Sequence, residues 1–178
     1  MVNLLRAARV PPAVAHRIPQ PIPATVPRPA RLPMLITRRL EFDAGHRIPD
    51  HRSQCRHLHG HRYAIEVTVE GQVIDAGGRP DNGMVMDFSE VKRLIQECVV
   101  SPWDHAFLCW AEDRQMVEFL ASLGDHKTVI LAKVPTAENL AREAHSRLSE
   151  ALRARFGNDI RLHRVRLYET TNCWADAS

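Results

Sequence analysis

Two segments, Ile36-Thr37-Arg38-Arg39-Leu40-Glu41-Phe42-Asp43-Ala44-Gly45-His46 and His59-Gly60-His61-Arg62-Tyr63-Ala64-Ile65-Glu66-Val67-Thr68-Val69, decide how this chain folds. In the first, the even positions Ile36, Leu40, Phe42 and Ala44 are apolar and Thr37, Arg39, Glu41 and Asp43 between them are polar. A period of two marks a strand with one buried face, and His46 ends its inward row. In the second, Tyr63, Ile65, Val67 and Val69 alternate with Arg62, Glu66, Thr68 and Glu70. Carried backward, the inward parity takes in His61 and His59. Three imidazoles are thereby expected on one side of two neighbouring strands, with Cys55 in the connection between them.

Working outward, Asp75 to Gly83 reads as a turn, with Gly77-Gly78 and Asp81-Asn82-Gly83, leading to a short apolar stretch at Met84, Val85 and Met86. Asp87 and Glu90 have capping-box spacing, and Phe88, Val91, Leu94, Ile95 and Cys98 repeat at helical intervals, predicting a helix of about three turns. Ser101 to Trp110 reads as irregular, Asp113 to Leu123 as a short helix and Thr128 to Leu131 as a strand. Pro135-Thr136-Ala137-Glu138-Asn139 opens another helix, whose apolar stripe is Leu140, Ala144, Leu148, Ala151 and Leu152 and whose end is Gly157. Ile160 to Thr170 closes the chain as a strand with Val165, Leu167 and Glu169 in one parity. The order predicts an α+β fold, an antiparallel sheet covered by helices rather than a doubly wound parallel one.

A chain of 178 residues suits one domain. Residues 1–33 hold eight of the twelve prolines and five arginines, Arg6, Arg9, Arg17, Arg28 and Arg31, with no acid. They read as a disordered Pro/Arg-rich tail, or as sequence upstream of a true start at Met34, with the catalytic domain over 34–178. Because the net charge of +3 comes from that segment, the remainder is about −2 and carries no nucleic-acid footprint. No apolar run approaches the length of roughly 18 residues that a membrane span needs. Four scattered cysteines, Cys55, Cys98, Cys109 and Cys173, without a C-x-x-C pair, suggest neither a zinc ribbon nor a disulfide scaffold and suit a reducing cytoplasm.

His59 and His61 lie one strand repeat apart, about 7 Å at Cβ, and chelate from a rigid wall; His46 adds a third nitrogen from the adjoining strand. Three imidazoles on one divalent cation leave a fourth position for substrate or water. Cys55 either closes that position as a structural Cys-His₃ site or remains free as a base or nucleophile. Asp104-His105 sets a carboxylate beside an imidazole, a usable proton-shuttle pair. His51 and His57 read as non-ligands, because a fourth imidazole would close the reactive position.

In this order, Phe42 to His46, Cys55-x-x-x-His59-Gly60-His61, Asp104-His105, Pro135-Thr136-Ala137-Glu138-Asn139 and Tyr168-Glu169-Thr170 resemble the 6-pyruvoyl-tetrahydropterin synthase superfamily over residues 35 to 173. The three-residue gap after Cys55 looks like the 6-carboxy-tetrahydropterin synthase branch, which serves queuosine and 7-deazapurine biosynthesis. Animal-type pyruvoyl synthases carry a longer gap. The resemblance implies a tunnelling fold, a four-stranded antiparallel sheet with two main helices on one face, joined into a trimeric barrel and stacked as a homohexamer. It implies zinc on His46, His59 and His61, proton transfer by Cys55, Asp104 and His105, and pterin contacts from Glu169 and Thr136. It also implies that the sites lie between subunits.

The implied substrate is 7,8-dihydroneopterin triphosphate, and the implied products are 6-carboxy-5,6,7,8-tetrahydropterin, acetaldehyde and triphosphate, with no redox cofactor. Trp103 and Cys109 stand where the family commonly has leucine and asparagine, and Arg56-His57 where it often has Gly-Arg, which bears on local shape. A pyruvoyl-type triphosphate lyase is the alternative activity, and a non-catalytic zinc-binding assembly protein the alternative class.

Overall fold

The computed structural model describes residues 32–178. The expected tail or alternative start over residues 1–33 therefore lies, but for its last two residues, outside the described residues. The first two strands form as their alternation predicts: β1 (Met34–His46) and β2 (His59–Gly71) pair antiparallel from Met34 opposite Gly71 to His46 opposite His59. Shifting this pairing by one residue would turn Phe42, Tyr63, Ile65 and Val67 to the other face, so their burial holds the register.

The sheet has six strands and is mixed, which corrects the expected four-stranded antiparallel sheet. Its order is β4-β3-β1-β2-β5-β6, with β3 (Ala106–Trp110), β4 (Thr128–Leu131), β5 (Ile160–Thr170) and β6 (Cys173–Ala177). The run β1-β2-β5-β6 is antiparallel, while β3 joins β1 in parallel and β4 joins β3 in parallel. Residues 101–110 are also more regular than their reading: one helical turn, α2 (Ser101–Trp103), precedes β3. Ala106, Leu108 and Cys109 are all buried, so β3 has no polar alternation to reveal it.

The predicted helices form as α1 (Phe88–Ile95), α3 (Arg114–Ser122) and α4 (Ala137–Phe156). Asp87 caps α1 by accepting from Ser89 N at 2.7 Å, but Glu90 pairs with Arg93 instead of returning to the cap, so the capping box is only half made. After Ile95 the chain continues through a π-type turn, Gln96–Val100, into α2. Thr136 caps α4, and Gly157, at φ 61, leaves the helix in a conformation that glycine adopts without a Cβ clash. Val91, Leu94 and Ile95 of α1 and Leu140, Ala144, Leu148 and Leu152 of α4 join Phe42, Tyr63, Ile65, Val67, Val165 and Leu167 of the sheet in one core.

Of the residues that depart from the family pattern, Trp103 and Cys109 serve packing, while Arg56 and His57 are exposed. Trp103 is fully buried, meets Phe42 edge-on at 6.0 Å between ring centroids and carries the Arg147 guanidinium 5.5 Å above its ring. Cys109 packs with Met116 and Leu120, and burial pushes its thiol up to about 11. Among the described residues, no helix is long and apolar enough to cross a membrane.

Candidate metal and catalytic site

The β1–β2 ladder ends in the cluster foreseen from parity. His46 sits opposite His59, and His61 opposite Ala44. One ligand atom from each of His46, His59 and His61 lies within 4.8 Å of the other two. The strands approach closely at this end because Gly45 faces Gly60: a Cβ on Gly60 would stand 2.9 Å from the Ala44 carbonyl oxygen. The intervening glycine thus does more than clear one face. It brings the two ligand-bearing strands together.

Backbone carbonyls aim two of the rings. His46 Nδ1 lies 2.8 Å from the Pro135 carbonyl and His59 Nδ1 2.8 Å from the His57 carbonyl, so each Nδ1 carries the hydrogen and each Nε2 presents its lone pair. His46 is fully buried, and its Nε2 has no hydrogen-bond partner. Burial pushes the His46 pKa down to about 4, and the neighbouring imidazoles His59 and His61 push in the same direction against the Pro135 carbonyl. Burial also lowers His61. Three converging imidazoles, two of them oriented and one with an orphaned buried nitrogen, fit a divalent cation, and a set of histidines without an acid suits zinc. His57 enters the site through its carbonyl alone, and neither His51 nor His57 belongs to the cluster.

The depressed His46 value has a consequence for the metal-free protein. Below about pH 6.5 the unfolded chain takes up a proton that the folded His46 refuses until about pH 4, so stability falls as the pH drops through that window, by up to roughly 3 kcal/mol. Urea titrations of chelator-treated protein at pH 7 and pH 5 should show this fall, and His46→Asn should lessen it. An equal fall in the variant would assign it to other groups.

Cys55 lies in a single 3-10 turn, Gln54–Arg56, of the connection between β1 and β2, held by Ile48 N donating to its carbonyl at 2.8 Å. It is half-buried, free, and outside the cluster of ligand atoms. Glu169, from β5, brings Oε1 to 3.6 Å from His46 Nε2. The Thr136 hydroxyl oxygen accepts from Asn139 N at 3.4 Å as the α4 cap, next to the Pro135 carbonyl that aims His46.

Asp104 and His105 form the expected pair, with Asp104 Oδ2 2.9 Å from His105 Nδ1. The other carboxylate oxygen accepts from Asp43 N at 3.0 Å, and this bond, ahead of the nearby His105, holds Asp104 below the usual carboxylate range. His105 takes φ 57, a left-handed conformation uncommon for a residue with a Cβ. Its N–H donates to the Asp43 carbonyl at 2.6 Å, while Lys127 Nζ donates to the Asp104 carbonyl at 2.6 Å. The His105 side chain is 76 % exposed. Among the described residues, no hydrogen bond or ion pair joins this dyad to Cys55 or to the three histidines of the same chain.

Two contributors were missed in the sequence. Arg47, next to His46, donates to both oxygens of Asp113 at 2.6 Å and ties the end of β1 to the start of α3; no local pattern connects residues 66 apart. Tyr63 reads as one more apolar strand residue, yet its ring lies 5.7 Å from His61 and 5.9 Å from His46. Burial raises its phenol far above the ordinary value, and the negative charge of Glu169 raises it further. The signal available was its parity with His59 and His61.

Comparison with known proteins adds four findings. The family model described as 6-pyruvoyl tetrahydropterin synthase matches residues 35–178. A Rickettsia bellii protein named 6-carboxy-5,6,7,8-tetrahydropterin synthase is 35 % identical over 144 residues, covering 79 % of this chain and 96 % of that one. A Haemophilus influenzae protein of the same name is 28 % identical over 144 residues, with the same coverage. Among solved structures, the Caenorhabditis elegans 6-pyruvoyl tetrahydropterin synthase superposes with a TM-score of 0.59 at 23 % identity, covering 83 % of this chain and 96 % of that chain, a likeness of fold.

Proposed function

The chain belongs to the 6-pyruvoyl tetrahydropterin synthase family, and from that premise we propose that it is a zinc-dependent lyase converting 7,8-dihydroneopterin triphosphate and one water to 6-carboxy-5,6,7,8-tetrahydropterin, acetaldehyde and triphosphate. Relatives bearing the carboxy-synthase name, at 28 to 35 % identity over most of this chain, favour that branch over the pyruvoyl one. In this reading the protein acts in the cytoplasm, in the pathway toward queuosine and other 7-deazapurines.

The observation that carries the proposal is the convergence of His46, His59 and His61, two of them oriented by carbonyls and one buried with an unpartnered nitrogen. Zinc held there would supply Lewis acidity toward the hydroxyls of the substrate's side chain. Cys55, in the connection between the two strands and outside the ligand cluster, takes and returns protons during isomerisation and carbon-carbon cleavage. Glu169 accepts from the guanidine-like N–H edge of the pterin, a pairing strengthened by its charge. Thr136 adds a contact to the pterin from the start of α4.

Asp104 accepts from His105 Nδ1 and leaves Nε2 as the position that exchanges protons. Because this dyad stands exposed and apart from its own chain's histidines, it would serve the site of a neighbouring copy, in a homohexamer built as two stacked trimers. Among the described residues β4 and β6 are the edge strands of the sheet, and unpaired edges give a physical reason to associate.

Incubating the zinc-loaded protein with 7,8-dihydroneopterin triphosphate tests the proposal. Acetaldehyde and the carboxypterin are expected in equal amounts. A pyruvoyl product without acetaldehyde would place the chain with the pyruvoyl synthases, and bound zinc with no turnover would point to a non-catalytic assembly protein.

A further inference from the structure

The inward face of the site holds two buried polar atoms without a hydrogen-bond partner, His46 Nε2 and the Tyr63 hydroxyl, and the function proposed above employs only the first. Tyr63 is fully buried, stacked on Phe42 at 5.3 Å between ring centroids. The β2–β5 ladder pairs Ile65 with Leu167 and Ala64 with Tyr168. Tyr63 and Glu169 both lie against His46: the Tyr63 ring centroid is 5.9 Å from that of His46, and the Glu169 carboxylate is 3.6 Å from His46 Nε2.

Glu169 lacks a donor. Its carboxylate stands 3.6 Å from His46 Nε2, but the proton of that ring sits on Nδ1, against the Pro135 carbonyl, so two acceptors face each other. Among the described residues, no hydrogen bond is made to the Glu169 carboxylate. An acceptor without a donor and a buried hydroxyl without an acceptor therefore occupy neighbouring positions. Kept for packing alone, the hydroxyl would weaken the fold, and phenylalanine would serve better.

Resting on the proposed function, we infer that Tyr63 is a positioning residue for Glu169: its hydroxyl donates to the carboxylate through one ordered water and holds it where the N–H edge of the substrate ring is read. Tyr63 itself touches no substrate. Its effect passes through Glu169, so it alters recognition of the ring more than the later proton transfers.

The test compares Tyr63→Phe, Glu169→Gln and the double variant, each zinc-loaded, in four measurements: zinc content, melting temperature, neopterin affinity by fluorescence quenching, and the KM and kcat for 7,8-dihydroneopterin triphosphate. For Tyr63→Phe, zinc content should match the wild type and the melting temperature should hold or rise. Neopterin affinity should fall about tenfold and KM rise to match, with kcat within about threefold. In the Glu169→Gln background, adding Tyr63→Phe should change affinity little, since both act through one carboxylate.

Unchanged affinity in Tyr63→Phe, with or without a lower melting temperature, overturns the inference, as do losses that multiply independently in the double variant. A wild-type protein that neither binds neopterin nor turns over the substrate overturns the proposed function and this inference together. Full wild-type activity with an unaffected Tyr63→Phe overturns the inference alone.

Discussion

Cys55→Ala is expected to keep about one zinc per chain and to lower turnover of 7,8-dihydroneopterin triphosphate by roughly a hundredfold to ten-thousandfold, the range for losing a group that moves protons at the reacting carbons. The two halves of this result come from different observations. Zinc is retained because the ligand atoms that converge belong to His46, His59 and His61 and exclude the Cys55 sulfur. Turnover collapses because Cys55, free and half-buried in the connection between the strand ends that carry His46 and His59, is the group assigned to move those protons. The side chain is half-buried in a short exposed turn, so replacing it with alanine should leave the fold intact. Metal analysis and acetaldehyde release on the same preparation check both halves. Loss of zinc together with activity would instead mark Cys55 as a ligand in a closed structural site.

His59→Ala should remove metal and activity together. His59 is directly opposite His46 across the ladder, and its Nδ1 is anchored by the His57 carbonyl, so it provides a preset nitrogen that water replaces poorly. Changing an outer-shell partner of a metal ligand costs about ten- to a hundredfold in affinity, and loss of a ligand should exceed about a hundredfold. Zinc would then leave on dialysis against a weak chelator that the wild type withstands. The half-buried side chain lies at the strand end, outside the main core, so circular dichroism should show the sheet retained. An active, metal-free His59→Ala protein would contradict the proposed chemistry.

Much of this site could be read from local pattern. β1 and β2 each bury one face, so alternate residues report which side chains point inward, and the histidines inherit that direction from Phe42, Ala44 and Tyr63. Helix α4 was equally legible, since a threonine cap, an apolar stripe and Gly157 all lie within its own sequence. β3 was not, because an apolar run of five residues looks the same in a buried strand as in irregular core, and its parallel pairing with β1 and β4 depends on partners far along the chain. β6 pairs with β5 across a short turn and adds a second strand that alternation did not announce.

The same division separates the site residues. Three candidate ligands that share a parity were visible, whereas the carbonyls of Pro135 and His57 that aim two of them were not, since a backbone oxygen leaves no mark in residue type. Tyr63 was legible as inward-facing but not as unpartnered, because that depends on the register between β2 and β5. Asp104 and His105 were found from their adjacency. Their attachment to Asp43 and Lys127, and the left-handed backbone of His105, emerge only when β3 docks beside β1.

Zinc K-edge absorption spectroscopy on the loaded wild-type protein tests the central claim most directly, because it counts the atom types around the ion. Three imidazole nitrogens with the remaining position filled by oxygen, all at about 2.0–2.2 Å, are the expected shell. A sulfur scatterer at about 2.3 Å would place Cys55 on the metal and contradict the account.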